Sequence, residues 1–369
     1  MISRLVRRRR STTAAALTLL GVLALSACSS GSESADPSSG GADSPAAASE
    51  VTTLRLGFFP NLTHAPAYVG VQEGFYKDAL GELGIKVAPQ LFNAGPDAVN
   101  ALFSDSIDIS FVGPNPTVSA WTQSQGEAVQ VISGAASAGA ALVVKPEITS
   151  AEDLAGTTIA TPQLGNTQDV ALRYWLKQQG YETTLEGGGD VSIQNISNSD
   201  AVTAFQSGDI DGAWVPEPFV ASLVAEGGKV LVDEKSLWPG GKFVTTNIVV
   251  RQAFLDEHPD IVEAFLAANV QSIAFMKKDP KQSKVDFNAG LLALTGSNYD
   301  AAILDDAWKQ VEFTNDPLKP TLVEGAAHAV DVGLLDQAEI DAAGGFDDLY
   351  DLSLLNKVLA QDGQPEVTQ

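Results

Sequence analysis

The sequence predicts an α/β protein of two similar lobes, each a mainly parallel sheet flanked by helices, joined by two hinge crossovers. Three observations carry that prediction. Residues 97–112 read DAVNALFSDSIDISFV and residues 200–215 read DAVTAFQSGDIDGAWV. At a constant offset of 103 they share Asp97/Asp200, Ala98/Ala201, Val99/Val202, Ala101/Ala204, Ser104/Ser207, Ile107/Ile210, Asp108/Asp211 and Val112/Val215, while Phe111 meets Trp214. The same offset runs upstream without a gap: Leu54–Phe59 falls on Thr157–Pro162, the loop Pro60–His64 on Gln163–Thr167, and the helical pattern from Ala65 on that from Gln168. Strand, helix, strand, helix and strand thus recur in order, the βαβ pattern of a parallel sheet, at a period that means two domain copies rather than a solenoid. Third, a folded body of about 320 residues exceeds one ordinary core. Two lobes leave a cleft between them, and small ligands bind in such clefts.

The elements follow from spacing. Thr53–Phe59 reads as the first strand. The helix after it carries Tyr68, Val71, Phe75 and Ala79 at helical spacing. A second strand lies near Ile85–Leu91, and Asn93-Ala94-Gly95-Pro96-Asp97 opens the next helix, with Pro96 suited to the first turn. Ile107–Val112 is a buried third strand, Pro114–Gln123 a short helix, and Ala128–Ser133 a fourth strand. The small residues Ala135–Ala141 suit a crossover, and Leu142 enters the second lobe. There the unit recurs: strand Thr158–Thr161, helix Thr167–Gln179, strand Val191–Ile196, helix Asp200–Gln206, strand Ile210–Val215, and a last short strand Val230–Val232. Phe243–Val250 crosses back. Helices are expected at Asp260–Met276, Ser283–Leu294, Asp300–Val311, Val323–Gly333 and Tyr350–Ala360, wrapping the first lobe. The expected limits are residues 52–138 and 247–369 for lobe one and 139–246 for lobe two.

Met1–Ala27 reads as a targeting segment. Arg4, Arg7, Arg8, Arg9 and Arg10 precede an apolar stretch, Ala14–Ala27, too short to span a bilayer. Leu25-Ser26-Ala27-Cys28 resembles a bacterial lipobox, which implies cleavage before Cys28 and lipidation of its thiol and new amine. Cys28 is the only cysteine, so no internal disulfide is expected. Residues 28–51 are rich in Ser, Ala, Gly and Pro and read as a flexible tether.

The net charge is −24, and removing the five arginines of the leader leaves −29. That balance argues against nucleic acid and anionic headgroups as partners, and means that local groups must capture any anionic ligand. In parallel sheets ligands bind beyond the carboxyl ends of the strands. Four loops occupy those ends: Pro60–His64 and Gly113–Thr117 in lobe one, Pro162–Thr167 and Pro216–Phe219 in lobe two. Each precedes a helix, whose free backbone N–H groups and positive dipole end face the cleft. They contain no Lys or Arg, and Arg55, Arg173 and Arg251, the arginines outside the leader, offer no evident clamp. The candidate ligand residues are Asn61, His64, Gly113, Asn115, Thr117, Ser137, Thr161, Gln163, Asn166, Thr167, Trp214 and Glu217. Several have a plainer role open to them. Thr167 is a good N-cap, Asn115 a turn brace, His64 a partner for backbone, and Trp214 core or cleft wall. Glu217 suits a ligand's cation or a helix dipole.

Enzyme signatures are absent: no Gly-x-Ser-x-Gly, no His-Glu-x-x-His and no phosphate-binding glycine loop. His64, His258 and His328 form no metal-spaced pair. No cofactor or metal is expected.

The chain resembles the solute-binding proteins of ABC importers, and within them the group that binds aliphatic sulfonates, taurine and nitrate. The resemblance rests on Leu56-Gly57-Phe58-Phe59-Pro60-Asn61 with His64-Ala65-Pro66-Ala67, on Phe111-Val112-Gly113-Pro114-Asn115-Pro116, on Ala160 to Thr167, and on Asp211 to Phe219. It implies a two-lobed, type II periplasmic-binding-protein-like fold. It also implies a monomeric receptor anchored to the outer face of a bacterial membrane, delivering a small anion, an alkanesulfonate first, to a membrane permease. Taurine, nitrate or a thiamine-pyrimidine-like heterocycle are the alternative ligands, and an anchored enzyme acting in the same cleft is the alternative class. Related thiamine-pyrimidine synthesis enzymes with a cysteine-rich active site are excluded by the single cysteine.

Overall fold

A computed structural model describes residues 51–368. The leader, most of the tether and Cys28 lie outside the described residues. Among the described residues eleven strands build two sheets: β1 (Thr53–Phe58), β2 (Lys86–Leu91), β3 (Ile109–Val112), β4 (Val129–Ala138), β5 (Ala140–Val144), β6 (Thr158–Thr161), β7 (Ser192–Asn195), β8 (Gly212–Pro216), β9 (Lys229–Asp233), β10 (Val244–Arg251) and β11 (Val311–Phe313). The first sheet has the order β11-β4-β10-β3-β1-β2 and the second β7-β6-β8-β5-β9.

The repeat survives in register. Leu56 pairs with Ile109 and Gly57 with Ser110, while Ile159 pairs with Gly212 and Ala160 with Ala213, each residue shifted by the same offset. The outer pair slips by one: Arg55 faces Ala88, but Thr158 faces Ser192. The repeat is therefore gapless where strands one and three meet and carries an extra residue in the excursion to strand two.

Each sheet also receives one strand from the chain as it crosses. β5 enters the second sheet between β8 and β9, and β10 enters the first between β3 and β4; both run antiparallel to their neighbours. The first crossing turns sharply at Ala138 and Gly139, with φ of +65° and +74°. β4 therefore extends to Ala138, past the expected end at Ser133, because β10 and β11 both pair with it.

Alternation sorts the side chains into cores. In the second sheet Leu142, Val144 and Trp214 join Leu172, Trp175 and Leu176 of the helix Thr167–Gln178. Ala141, Val143, Ala213 and Val215 join Phe205 and Leu223 on the opposite face. In the first sheet Leu54, Leu56 and Phe58 pack with Phe265 of the helix Pro259–Lys278 and Phe287 of the helix Pro280–Thr295. Trp121, Val129 and Leu322 fill the other face.

Two expected helices are shorter than their patterns. The one from Ala65 ends at Gln72, and a new helix, Phe75–Gly81, starts after Gly74, whose φ of +82° breaks the turn. Asp300–Val311 divides into the helix Ala301–Trp308 and the edge strand β11, because Val311 and Phe313 bury with period two beside β4.

Candidate functional site

The carboxyl ends of β1, β3, β6 and β8 converge between the two sheets. A small cavity of about 20 Å³, on the scale of one water, lies there. Lobe one lines it with Phe59, Asn61, Thr63, His64, Asn93 and Gly113, joined by Thr245 of β10. Lobe two contributes Asn166, Thr167, Gln168, Asn198 and Pro216. None of these side chains is a carboxylate, ammonium or guanidinium. Backbone joins the lobes here, since the Leu62 N–H donates to the Glu217 carbonyl at 2.9 Å.

Helix starts supply the donors. The helices Pro114–Gln123 and Thr167–Gln178 begin at the N-caps Gly113, which has no side chain to cap with, and Asn166, whose side chain makes no capping bond. The Asn115, Thr167 and Gln168 N–H groups have no helical partner and carry the positive ends of the dipoles, whereas Pro114 and Pro116 have no N–H and Thr117 donates to the Gly113 carbonyl. Asn166, not Thr167, holds the cap position, because Asp169 and Val170 donate to its carbonyl. Thr167 is thereby freed. Its buried Oγ1 has no hydrogen-bond partner, and it packs so closely on Gly113 across the cleft that a Cβ at Gly113 would overlap it. The Oδ1 atoms of Asn61 and Asn198, one from each lobe, are likewise buried without a partner.

His64 is 2 % exposed and stacked on Phe59, with ring centroids 4.4 Å apart. Its Nδ1 accepts the Phe59 N–H at 3.3 Å. Burial pushes its pKa down to about 3, so the ring is neutral with Nε2–H left as a donor.

Behind the second-lobe loop lies a buried ion pair. Asp169 Oδ2 accepts from Arg173 Nε and from the Gly165 N–H, both at 3.0 Å; Oδ1 accepts from the Thr161 hydroxyl at 2.9 Å and Asn195 Nδ2 at 3.0 Å. Arg173 Nη1 donates to the Thr184 carbonyl at 2.6 Å. The pair fixes the loop that presents Asn166 and Thr167. Arg55 and Arg251 are held by Asp108 at the other end of the strands. All three described arginines are thus in structural pairs, and none lines the cavity.

Of the sequence candidates, Asn61, His64, Gly113, Asn166 and Thr167 come together in this lining. The others are placed elsewhere. Asn115 Nδ2 donates to the Gly325 carbonyl at 3.0 Å and braces the helix Lys319–Asp331. Thr117 donates to the Gly113 carbonyl at 2.9 Å. Thr161 serves Asp169. Ser137 is buried in β4 opposite Val244, its hydroxyl unpartnered, and Gln163 Oε1 is also buried and unpartnered. Trp214 is core and not a cleft wall: strand alternation turns it toward Trp175, and its indole N–H donates to Glu234 Oε2 at 2.7 Å. The Glu217 carboxylate accepts from the Ala221 N–H at 3.1 Å, a helix-dipole role, and lines a different cavity.

Asn93, Asn198 and Gln168 join the lining without being sequence candidates. The loops after strands one and three point to the cleft from the sequence, and those after strand two do so as well. Asn93 follows β2, and Asn198 opens the helix Asn198–Ser207, at the repeat position of Gly95.

Among the described residues no helix is long and apolar enough to cross a membrane. The NMT1-like family profile matches residues 47–286. The taurine-binding periplasmic protein of Escherichia coli K12 is 34 % identical over 191 residues, covering 52 % of this chain and 58 % of that protein. The chain thus matches little more than half the length of that relative. The alkanesulfonate-binding protein SsuA of Xanthomonas axonopodis pv. citri, solved with MOPS bound, superposes with a TM-score of 0.64 at 19 % identity, covering 79 % of this chain and 96 % of that one. The periplasmic nitrate-binding protein NrtA of Synechocystis PCC 6803 gives a TM-score of 0.71 at 17 % identity, with 86 % and 92 % covered. These last two likenesses are of fold.

Proposed function

The chain belongs to the NMT1-like family, and from that premise we propose that it is the extracytoplasmic receptor of an ABC importer, binding a small organic anion in the cleft between its lobes. An aliphatic sulfonate is the ligand that fits best. The observation that carries this reading is the meeting of the Thr167–Gln178 helix start with Gly113 and the unpartnered Thr167 hydroxyl, in a lining free of charged side chains. Each hydrogen bond to a charged group contributes roughly 1.5–3 kcal/mol, and micromolar affinity needs about 8 kcal/mol. Several neutral donors therefore suffice without an arginine. A cavity for about one water requires the lobes to part for entry, as hinge closure provides.

A second reading, an aminosulfonate such as taurine, is favoured by Asn61 Oδ1 and Asn198 Oδ1, two unpartnered acceptors suited to an ammonium. The receptor works as a monomer without cofactor or catalysis. It is held to the outer face of the membrane through lipidated Cys28 and hands its ligand to a permease.

Calorimetric titration of the full chain with methanesulfonate, longer alkanesulfonates, taurine, nitrate and a thiamine pyrimidine tests this. Tight one-to-one binding of alkanesulfonates is the expected result. Preference for taurine selects the second reading; binding of the heterocycle alone, or turnover of a bound ligand, defeats both.

A further inference from the structure

A second cavity, of about 460 Å³, shares no lining residue with the cleft cavity. It lies against the crossing segment Gly139–Ala141. Val220, Ala221 and Val224 of the helix Phe219–Ala225 line it from lobe two. Ala302 and Ile303 of the helix Ala301–Trp308 line it from the segment that leads into β11 of the first sheet. Its volume is that of a small-molecule pocket, about 300–1,000 Å³. Apolar surface stands open there: Val224 is 43 % exposed and Val230 44 %.

The charged groups are arranged asymmetrically. Asp306 sits at the rim and is held by Lys309 at 2.8 Å, and Asp233 accepts the Lys235 N–H at 3.1 Å. The Lys235 ammonium is taken up by Gln310 at 3.2 Å. Glu217 differs from all of these. Its residue is 2 % exposed, it forms no ion pair among the described residues, and one carboxylate oxygen has only the Ala221 N–H while the other makes no hydrogen bond. A buried carboxylate is costly unless a cation meets it, and here it lines a cavity with apolar walls.

We propose that this cavity is a second ligand site, taking a small organic cation whose ammonium pairs with Glu217 and whose apolar body packs on Val220, Val224 and Ile303. A purely polar cation would leave the valines in water, and a neutral apolar ligand would leave Glu217 unpaired.

Titration of the full chain with benzylammonium, and with benzyl alcohol as its neutral counterpart, tests the site. One saturable site for the ammonium is expected, with the alcohol weaker by about tenfold or more, as loss of a hydrogen-bonded charge pair requires. Glu217→Gln should weaken the ammonium by a similar factor. Ala302→Trp, at an exposed helix position, should block the cavity without touching the carboxylate, and keeps the test open if the first variant does not fold. Absence of saturable ammonium binding, or binding indifferent to Ala302→Trp, overturns the site. Equal binding of alcohol and ammonium, or ammonium binding indifferent to Glu217→Gln, overturns the cation assignment.

Discussion

Asp108 and Asp211 make the same two hydrogen bonds in the two sheets. The carboxylate of each accepts a backbone N–H from the first strand of its lobe, Arg55 at 2.9 Å and Thr158 at 2.8 Å. The N–H of each donates back to the carbonyl of that same residue, at 2.9 and 2.8 Å. The aspartate shared by the two sequence copies thus locks strand three to strand one in both lobes. Its recurrence in the copies serves hydrogen bonding, not a ligand site.

The two are not equal in cost. The Asp108 side chain is 2 % exposed and also holds the guanidinium groups of Arg55 and Arg251, whereas Asp211 is 31 % exposed and meets Lys145. Asp108→Ala should destabilise by about 3–5 kcal/mol, the cost of breaking a buried pair. Asp211→Ala should cost about 1–2 kcal/mol, for one backbone bond and a partly exposed pair. Urea unfolding of both variants checks the order; equal losses would contradict it.

Thr167→Ala separates binding from folding. The hydroxyl makes no bond within the protein, so stability should stay within about 0.5 kcal/mol of the parent. Anion affinity should fall by about tenfold or more, the worth of one hydrogen bond to a charge. Calorimetry and a melting curve on the same sample read both, and an unchanged affinity removes Thr167 from the site.

Gly113→Ala should hinder closure itself. The added methyl would overlap Thr167 Oγ1, so the lobes must stay apart and affinity should fall further than in Thr167→Ala. Combining the two substitutions should recover part of the loss. A double-mutant cycle without coupling would refute the contact.

Acid–base behaviour should show two opposed trends. Burial pushes the carboxyls of Glu217 and Glu234 up to about 7 from the ordinary 4.5. Lys235, Asp306, Asp233 and Tyr299 face the first; the indole N–H groups of Trp214 and Trp238, with Asp233, face the second. Folding retains protons that the unfolded chain has released, so this stability is complete below pH 4.5 and lost as pH rises through 7. His64, held down at about 3 from 6.5, acts in reverse: its contribution is present above pH 6.5 and lost as pH falls toward 3. A tenfold difference in proton affinity between the folded and unfolded chain corresponds to about 1.4 kcal/mol. Melting temperatures should therefore decline less from pH 5 to 8 in Glu234→Gln than in the parent, and decline less from pH 6.5 to 4 in His64→Gln. Profiles parallel to the parent would count against the burial argument.

The repeat made most of the fold legible, because identical residues at one offset demand one supersecondary unit twice. It made the residues of β1 and β3 equivalent to those of β6 and β8, and the two registers agree at that offset. It did not mark β5 or β10 as strands, although the offset carries Ala141–Val144 onto Val244–Asn247, nor β11, whose three residues continue a helical pattern. The site was legible as loops but not as side-chain directions. Pro216 faces the cleft while the neighbouring carboxylate of Glu217 faces the other cavity, and Trp214 is turned inward by strand parity. Such choices depend on which face of a strand meets which helix, and periodicity does not distinguish the faces.

The exchange of strands between the sheets sets an order of assembly. Until Val244–Arg251 emerge, β3 and β4 have no common neighbour and present bare facing edges, which invite mispairing. β1, β2 and β3 are complete by residue 112, yet their sheet waits for well over a hundred further residues. The second sheet closes earlier, since β5 precedes every strand it joins. During synthesis the later lobe therefore matures first, and the earlier one is finished by a segment made after it. Contacts of that sequence separation make folding slow, and a fragment ending before β10 should remain unfolded in its first half.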